Sequence, residues 1–152
     1  MKLSRNVLAS LLLVTGVCGA NIALAGPPVT ITFKNLSTTS VATYSILGTN
    51  ETITNANSSP KPAATVAKGG SDTYVVSNTS PSPDLSFAYV RYGIGARTCV
   101  FYTSFLATSS ATGVKTPHWS KNITYNDGAT CNATITSTNI GNNSWAVEFT
   151  MK

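Results

Sequence analysis

The sequence predicts an all-β fold, a small antiparallel β-sandwich of about eight strands with one disulfide, and three observations carry that prediction. Apolar residues recur with a period of two, most clearly near the C-terminus. There Cys131, Ala133 and Ile135 alternate with Asn132, Thr134 and Thr136, and after Asn139–Asn143 the residues Trp145, Val147, Phe149 and Met151 resume the pattern. Beyond the first 25 residues no segment shows the 3.6-residue apolar period of a packed helix. The extended runs are short and separated by Gly, Pro, Asn and Ser turns, the punctuation of a sandwich rather than of a β-α-β repeat.

Residues 1–25 have the layout of a cleaved secretory signal peptide: Lys2 and Arg5, an apolar run from Val7 to Val17, and Ala23-Leu24-Ala25 as the peptidase site, with cleavage expected after Ala25. The apolar run is short for a membrane span and Gly16, Gly19 and Asn21 interrupt the segment. The remaining residues, 26–152, form one domain of ordinary size with a net charge of +3. Its cations are scattered, with no basic run or basic helix, so nucleic acid is not an expected partner. Export to a secreted or periplasmic location makes a Cys99–Cys131 disulfide the first reading of the two remaining cysteines. One His, few acids and no Cys-x-x-Cys offer no set of metal ligands, and no cofactor is expected.

In chain order, Gly26-Pro27-Pro28 is an extended lead-in to a strand in which Val29, Ile31 and Phe33 share a face and which ends near Asn35. A second strand is expected over about Val41–Leu47, with Tyr44 and Ile46 on one face. Gly48 to Pro62 is mostly Thr, Asn, Ser and Pro, with Ile53 its one large apolar residue, and reads as a surface loop holding at most a short edge strand. Ala64–Ala67 is a brief extended piece before the Lys68-Gly69-Gly70 turn, and Thr73–Val76 is a strand. Leu85, Phe87, Tyr89 and Arg91 alternate with Ser86, Ala88, Val90 and Tyr92. A turn at Gly93–Ala96 leads to Thr98–Phe105, apolar on both sides and so expected to lie inside its sheet. Leu106 to Lys121 lacks a strand period and reads as a long irregular loop. Ile123 and Tyr125 form a short strand, Asn126-Asp127-Gly128 a hairpin-type turn, and the C-terminal hairpin completes the domain.

The chemistry available to this chain is thin. Residues 26–152 hold one imidazole, His118, and five carboxylates, and no nucleophile motif accompanies them. Asp127 and Asp72 have turn-forming explanations. The expectation is therefore a non-catalytic binding protein that recognises a glycan, a membrane surface or a protein partner. The candidate ligand-binding residues are His118, Trp119, Lys115, Lys121, Tyr125 and Tyr102, grouped around the supposed loop. An exposed Trp119 would stack on a sugar face or enter a membrane interface beside its cations, whereas a Trp119 folded back would close one end of the sandwich. Arg91 and Arg97 would project from one hairpin, as a small basic patch or as a solvated end. Seven Asn-x-Ser/Thr sequons are a modest excess for so Asn- and Thr-rich a chain.

In its small exported sandwich, single disulfide and alternating C-terminal strand the chain resembles fimbrial subunits, although both cysteines lie in the second half of the domain rather than early in it. In basic charge, polar strands and an aromatic loop it bears a general likeness to the membrane-binding sandwiches of the aegerolysin and actinoporin type. These likenesses imply a surface structural or adhesin subunit, or a membrane-active protein, as alternatives. Neither family's motif is matched residue by residue, so no functional residue is carried over.

Overall fold

The structure, a computed structural model, describes residues 25–78 and 82–152. The segment read as a cleaved export signal, apart from Ala25, and part of the turn expected over Asn78–Pro83 lie outside the described residues. Two five-stranded sheets pack face to face. The first has the order β3-β5-β1-β10-β9, from β3 (Ser58–Ser59), β5 (Ser71–Val76), β1 (Val29–Asn35), β10 (Trp145–Met151) and β9 (Cys131–Thr138). The second has the order β4-β2-β6-β7-β8, from β4 (Thr65–Val66), β2 (Ala42–Ser45), β6 (Leu85–Ile94), β7 (Arg97–Ser109) and β8 (Lys115–Asp127). Among the described residues one helix, α1 (Thr49–Ala56), completes the fold. All strand pairs are antiparallel except β1 with β10, which run parallel from Val29 opposite Trp145 to Asn35 opposite Met151.

The alternation explains the core. Val29, Ile31 and Phe33 of β1 and Trp145, Val147, Phe149 and Met151 of β10 face inward and are buried, as are Ala88, Val90, Tyr92 and Ile94 of β6 and Cys99, Phe101 and Phe105 of β7. Rings meet across the gap between sheets: Phe33 stacks on Tyr92 with centroids 3.5 Å apart, and Phe101 stacks on Phe149 at 4.7 Å. Two pairs of buried polar groups meet across the same gap. Trp145 Nε1 donates to Thr103 Oγ1 at 2.8 Å, and the hydroxyls of Tyr74 and Tyr92 lie 3.2 Å apart. Cys99 of β7 is bonded to Cys131 of β9, S–S 1.99 Å, so the covalent link also joins the two layers.

Three expectations are corrected. The span Gly48–Pro62 is not a loop but holds α1, followed by the two-residue edge strand β3, which stops before Pro60. The buried residues of this helix are Glu51 and Thr54, both polar, so a search for an apolar stripe passes over it. Leu106–Lys121 is not a loop either. β7 continues to Ser109, the chain turns with Gly113 at φ 80°, and β8 begins at Lys115. This hairpin is exposed toward its tip, which removes the apolar contrast that marks a strand, and Pro117 is tolerated because β8 is an edge strand that needs no second ladder. Finally, Asn126-Asp127-Gly128 does not close a hairpin. β8 and β9 belong to different sheets, and the turn, with Gly128 at φ 65°, carries the chain from one layer to the other.

Helix α1 also closes an edge of the second sheet. Below β2, among the described residues, no strand pairs with β6 on that side, and side chains bond two of its free backbone groups. Thr54 Oγ1 accepts the Tyr89 N–H at 2.9 Å, and the Asn78 amide donates to the Phe87 carbonyl. The helix therefore lies beside β6 and leaves the outer face of β6, β7 and β8 open.

Candidate functional site

The two sheets differ in what they show to solvent. On the first, cross-strand neighbours on the outer face include Thr30, Thr32, Thr73, Thr134 and Thr150, with a Lys34–Glu148 ion pair at 2.7 Å among them. Thr32 and Thr73 bond to one another through their hydroxyls at 3.1 Å. This is a hydrated, β-forming surface that needs no further role.

The outer face of the second sheet is aromatic. Directly opposed residues share a face, so the register defines successive rows: Leu85, Leu106 and His118; Phe87, Ser104 and Ser120; Tyr89, Tyr102 and Asn122; then Ser45, Arg91, Val100 and Tyr125. Tyr89 and Tyr102 rings lie 4.6 Å apart, and Phe87 meets Tyr89 edge-on at 6.2 Å. Tyr125 is 49 % exposed and Leu106 47 %. A bulge in β8 places Tyr125 here. The register shifts between Val100 and Phe101, so that Ile123 packs against the core while Tyr125, two residues on, faces out.

At the last row the face is bounded by the start of α1, and together they form an open groove of about 570 Å³. Leu47, Gly48, Thr49, Asn50 and Thr124 rim it, and Tyr89, Arg91, Val100 and Tyr125 floor it. Arg91 Nε donates to Glu51 Oε1 at 2.8 Å, and Arg91 Cζ sits 5.9 Å from the Tyr125 ring centroid. The other oxygen of Glu51 accepts the N–H groups of Leu47 and Gly48 and so fastens the start of the helix. Beside this carboxylate the Tyr44 hydroxyl is pushed up to about 12, by burial first and by the charge of Glu51 second.

The six sequence-derived candidates divide between the two faces of β7 and β8. Tyr102, Tyr125 and His118 lie on the outer aromatic face, in three different rows. His118 is exposed, with Nε2 3.2 Å from the Thr108 hydroxyl. Trp119, Lys121 and Lys115 are on the opposite side, in line with Phe105, Thr103 and Ser109. Trp119 is half-buried, packs on Phe105 with centroids 5.7 Å apart, and donates its indole N–H to the Asn143 carbonyl at 3.0 Å. It is the folded-back ring that closes an end of the sandwich. Lys115 is paired with Asp84 at 2.6 Å. Arg91 does not make a free basic patch with Arg97, because Glu51 engages it.

Sequence reasoning passed over Phe87, Tyr89 and Glu51 as site residues and weighed Arg91 only with Arg97, as a basic patch or a solvated hairpin end. The signal available for the first two was the alternation in β6, whose two faces are both rich in aromatic and aliphatic residues. Among the described residues there is no group of three or more His, Cys, Asp or Glu side chains able to hold a metal ion, and no helix is long and apolar enough to cross a membrane. Compared with known family models, curated proteins and solved structures, the chain matches none of them.

Proposed function

We propose that this is an exported, non-catalytic binding protein that takes a glycan on the outer face of β6, β7 and β8. The observation that carries the reading is the partly exposed aromatic patch of Phe87, Tyr89, Tyr102 and Tyr125, spread over three successive rows of one sheet face, while the other sheet presents threonines. Aromatic rings with a phenolic hydroxyl suit a pyranose, whose C–H face packs on the ring while its hydroxyls seek polar neighbours. Here those neighbours are Ser120, Asn122, Asn50 and Thr49. The absence of catalysis is inferred from how the carboxylates are used. Glu51, Asp84 and Glu148 are held in ion pairs, Asp72 accepts the Ala63 N–H, and no carboxylate among the described residues bonds to His118. Export to an oxidising compartment agrees with the disulfide between the sheets.

The test is a glycan array with the protein lacking residues 1–25, followed by titration of the retained glycans. Tyr125→Ala and Tyr102→Ala are expected to weaken binding about tenfold or more while leaving the melting temperature close to that of the parent. Trp119→Ala, on the other face, should bind normally. Retention of no glycan, or tyrosine variants that bind like the parent, would sink the reading.

A second reading, adsorption to a membrane surface, draws on Leu106, Val114 and Ile140, which are exposed toward the hairpin end of the domain. Its check is sedimentation with anionic and zwitterionic vesicles at low and high salt. Protein that stays in the supernatant under all four conditions rules it out.

A further inference from the structure

We infer that the groove between the start of α1 and Tyr125 is specific for an acidic sugar, a uronic or sialic acid residue, with Arg91 receiving its carboxylate. This rests on the glycan reading of the aromatic face and adds the charge of the ligand to it.

Arg91 has hydrogen-bond donors left to give. A guanidinium carries five N–H donors in a planar fork, and here Nε is engaged with Glu51. The terminal nitrogens make no hydrogen bond to the protein among the described residues, and Arg91 lines the groove. Planar, bidentate recognition of a carboxylate is what such an unspent fork is suited to.

Glu51 does not cancel this. Its side chain is 5 % exposed against 22 % for that of Arg91, so a ligand in the groove meets the cation first. The negative charge of Glu51 is taken up behind it, by the N–H groups of Leu47 and Gly48 and by the positive end of α1. Among the groove residues no other carboxylate faces the ligand. Glu51 thus holds the guanidinium in one orientation and leaves its outer edge free.

The rest of the groove fits a sugar ring rather than a bare anion. Tyr125 and Leu47 are exposed on either side, Tyr89 and Val100 lie beneath, and the side chains of Asn50, Thr49 and Thr124 offer donors and acceptors at the rim. A small inorganic anion would use the arginine and waste the apolar walls. A neutral sugar would use the walls and leave the guanidinium edge unpaired.

The experiment titrates matched probes against the full domain: oligogalacturonate with its methyl ester, and sialyllactose with lactose. Within at least one pair the acid form should bind about tenfold tighter at low salt, as a charge-assisted hydrogen bond predicts, and the margin should shrink at high salt. The double variant Glu51→Gln/Arg91→Gln replaces both partners, so it avoids leaving a buried carboxylate alone. It should retain its cooperative melting and lose the preference for the acid form. Equal binding of acid and neutral members, both abolished by Tyr125→Ala, overturns the role of Arg91 and keeps the aromatic face as a glycan site. An acid preference that survives in the double variant also overturns it. No binding of any probe or array glycan overturns both readings together.

Discussion

Glu51 and Arg91, forty positions apart in the chain, meet at 2.8 Å in the one place where the helix, the sheet face and the groove come together. The carboxylate fixes the first turn of α1 through two backbone N–H groups and fixes the arginine through Nε. The pair thereby couples the stability of the edge to the shape of the groove. Glu51→Ala should cost about 2 to 4 kcal/mol, somewhat below the loss expected for a fully buried pair because Arg91 is partly solvated. The double Gln variant should cost clearly less than the sum of the two single Gln variants. Urea unfolding of the parent, both singles and the double gives the coupling directly, and additive losses would mean that the pair does not act as a unit.

The bridge between Cys99 and Cys131 spans 32 positions and ties β7 to β9. In the chain-entropy account, closing a loop of that size contributes about 3 to 4 kcal/mol. Reduction should therefore lower the denaturation midpoint substantially while the far-ultraviolet spectrum stays that of β-structure. Thiol titration of the unfolded, unreduced protein lacking residues 1–25, and so lacking Cys18, is expected to find neither sulfur free.

The two tryptophans should respond differently to truncation. Trp145 is buried between the two sheets and bonded to Thr103, so Trp145→Ala should cost about 3 to 5 kcal/mol or abolish folding. Trp119 is half-buried at an edge strand, and Trp119→Ala should cost about 1 to 2 kcal/mol. Iodide quenching of fluorescence separates the two without mutation, since Trp145 should be inaccessible and Trp119 partly accessible.

Alkaline pH should unfold the domain from within. Burial raises the hydroxyls of Tyr74 and Tyr92 above the ordinary tyrosine range, and burial with the nearby charge of Glu51 pushes Tyr44 up to about 12. A folded-state pKa above the unfolded one contributes stability that is complete below about pH 10 and is lost as pH rises toward the folded value. Stability should accordingly fall between about pH 10 and 12. Tyrosinate absorbance from these three residues should appear together with the loss of native circular dichroism, and ionisation well ahead of unfolding would contradict their burial.

Much of the fold was legible because a half-buried strand writes its burial into alternate positions. Val29, Ile31 and Phe33, and again Trp145, Val147 and Phe149, are inward as their spacing requires. Where burial was polar, the pattern fell silent. Glu51 and Thr54 are the buried side of α1, and neither differs in type from a loop residue. Where burial was absent, as along the outer β7–β8 hairpin, the pattern had nothing to report. The candidate site suffered most. Trp119 drew attention as an aromatic between cations, yet its ring serves the edge of the core, while Tyr89 and Phe87 were hidden in a strand whose two faces look alike.

The amino-acid order alone determined most of the strands, the two-layer architecture and, with Cys18 set aside in the segment read as an export signal, the pairing of the remaining two thiols, because side-chain direction along extended chain is local geometry and two cysteines have one way to join. Which side of β6 lies inside, that the first and last strands run parallel, and that Arg91 meets Glu51 were decided only when the sheets closed on each other. A period of two says which residues share a face. What covers that face depends on partners distant in the chain, and here α1 settles beside β6 and leaves the aromatic patch open to solvent.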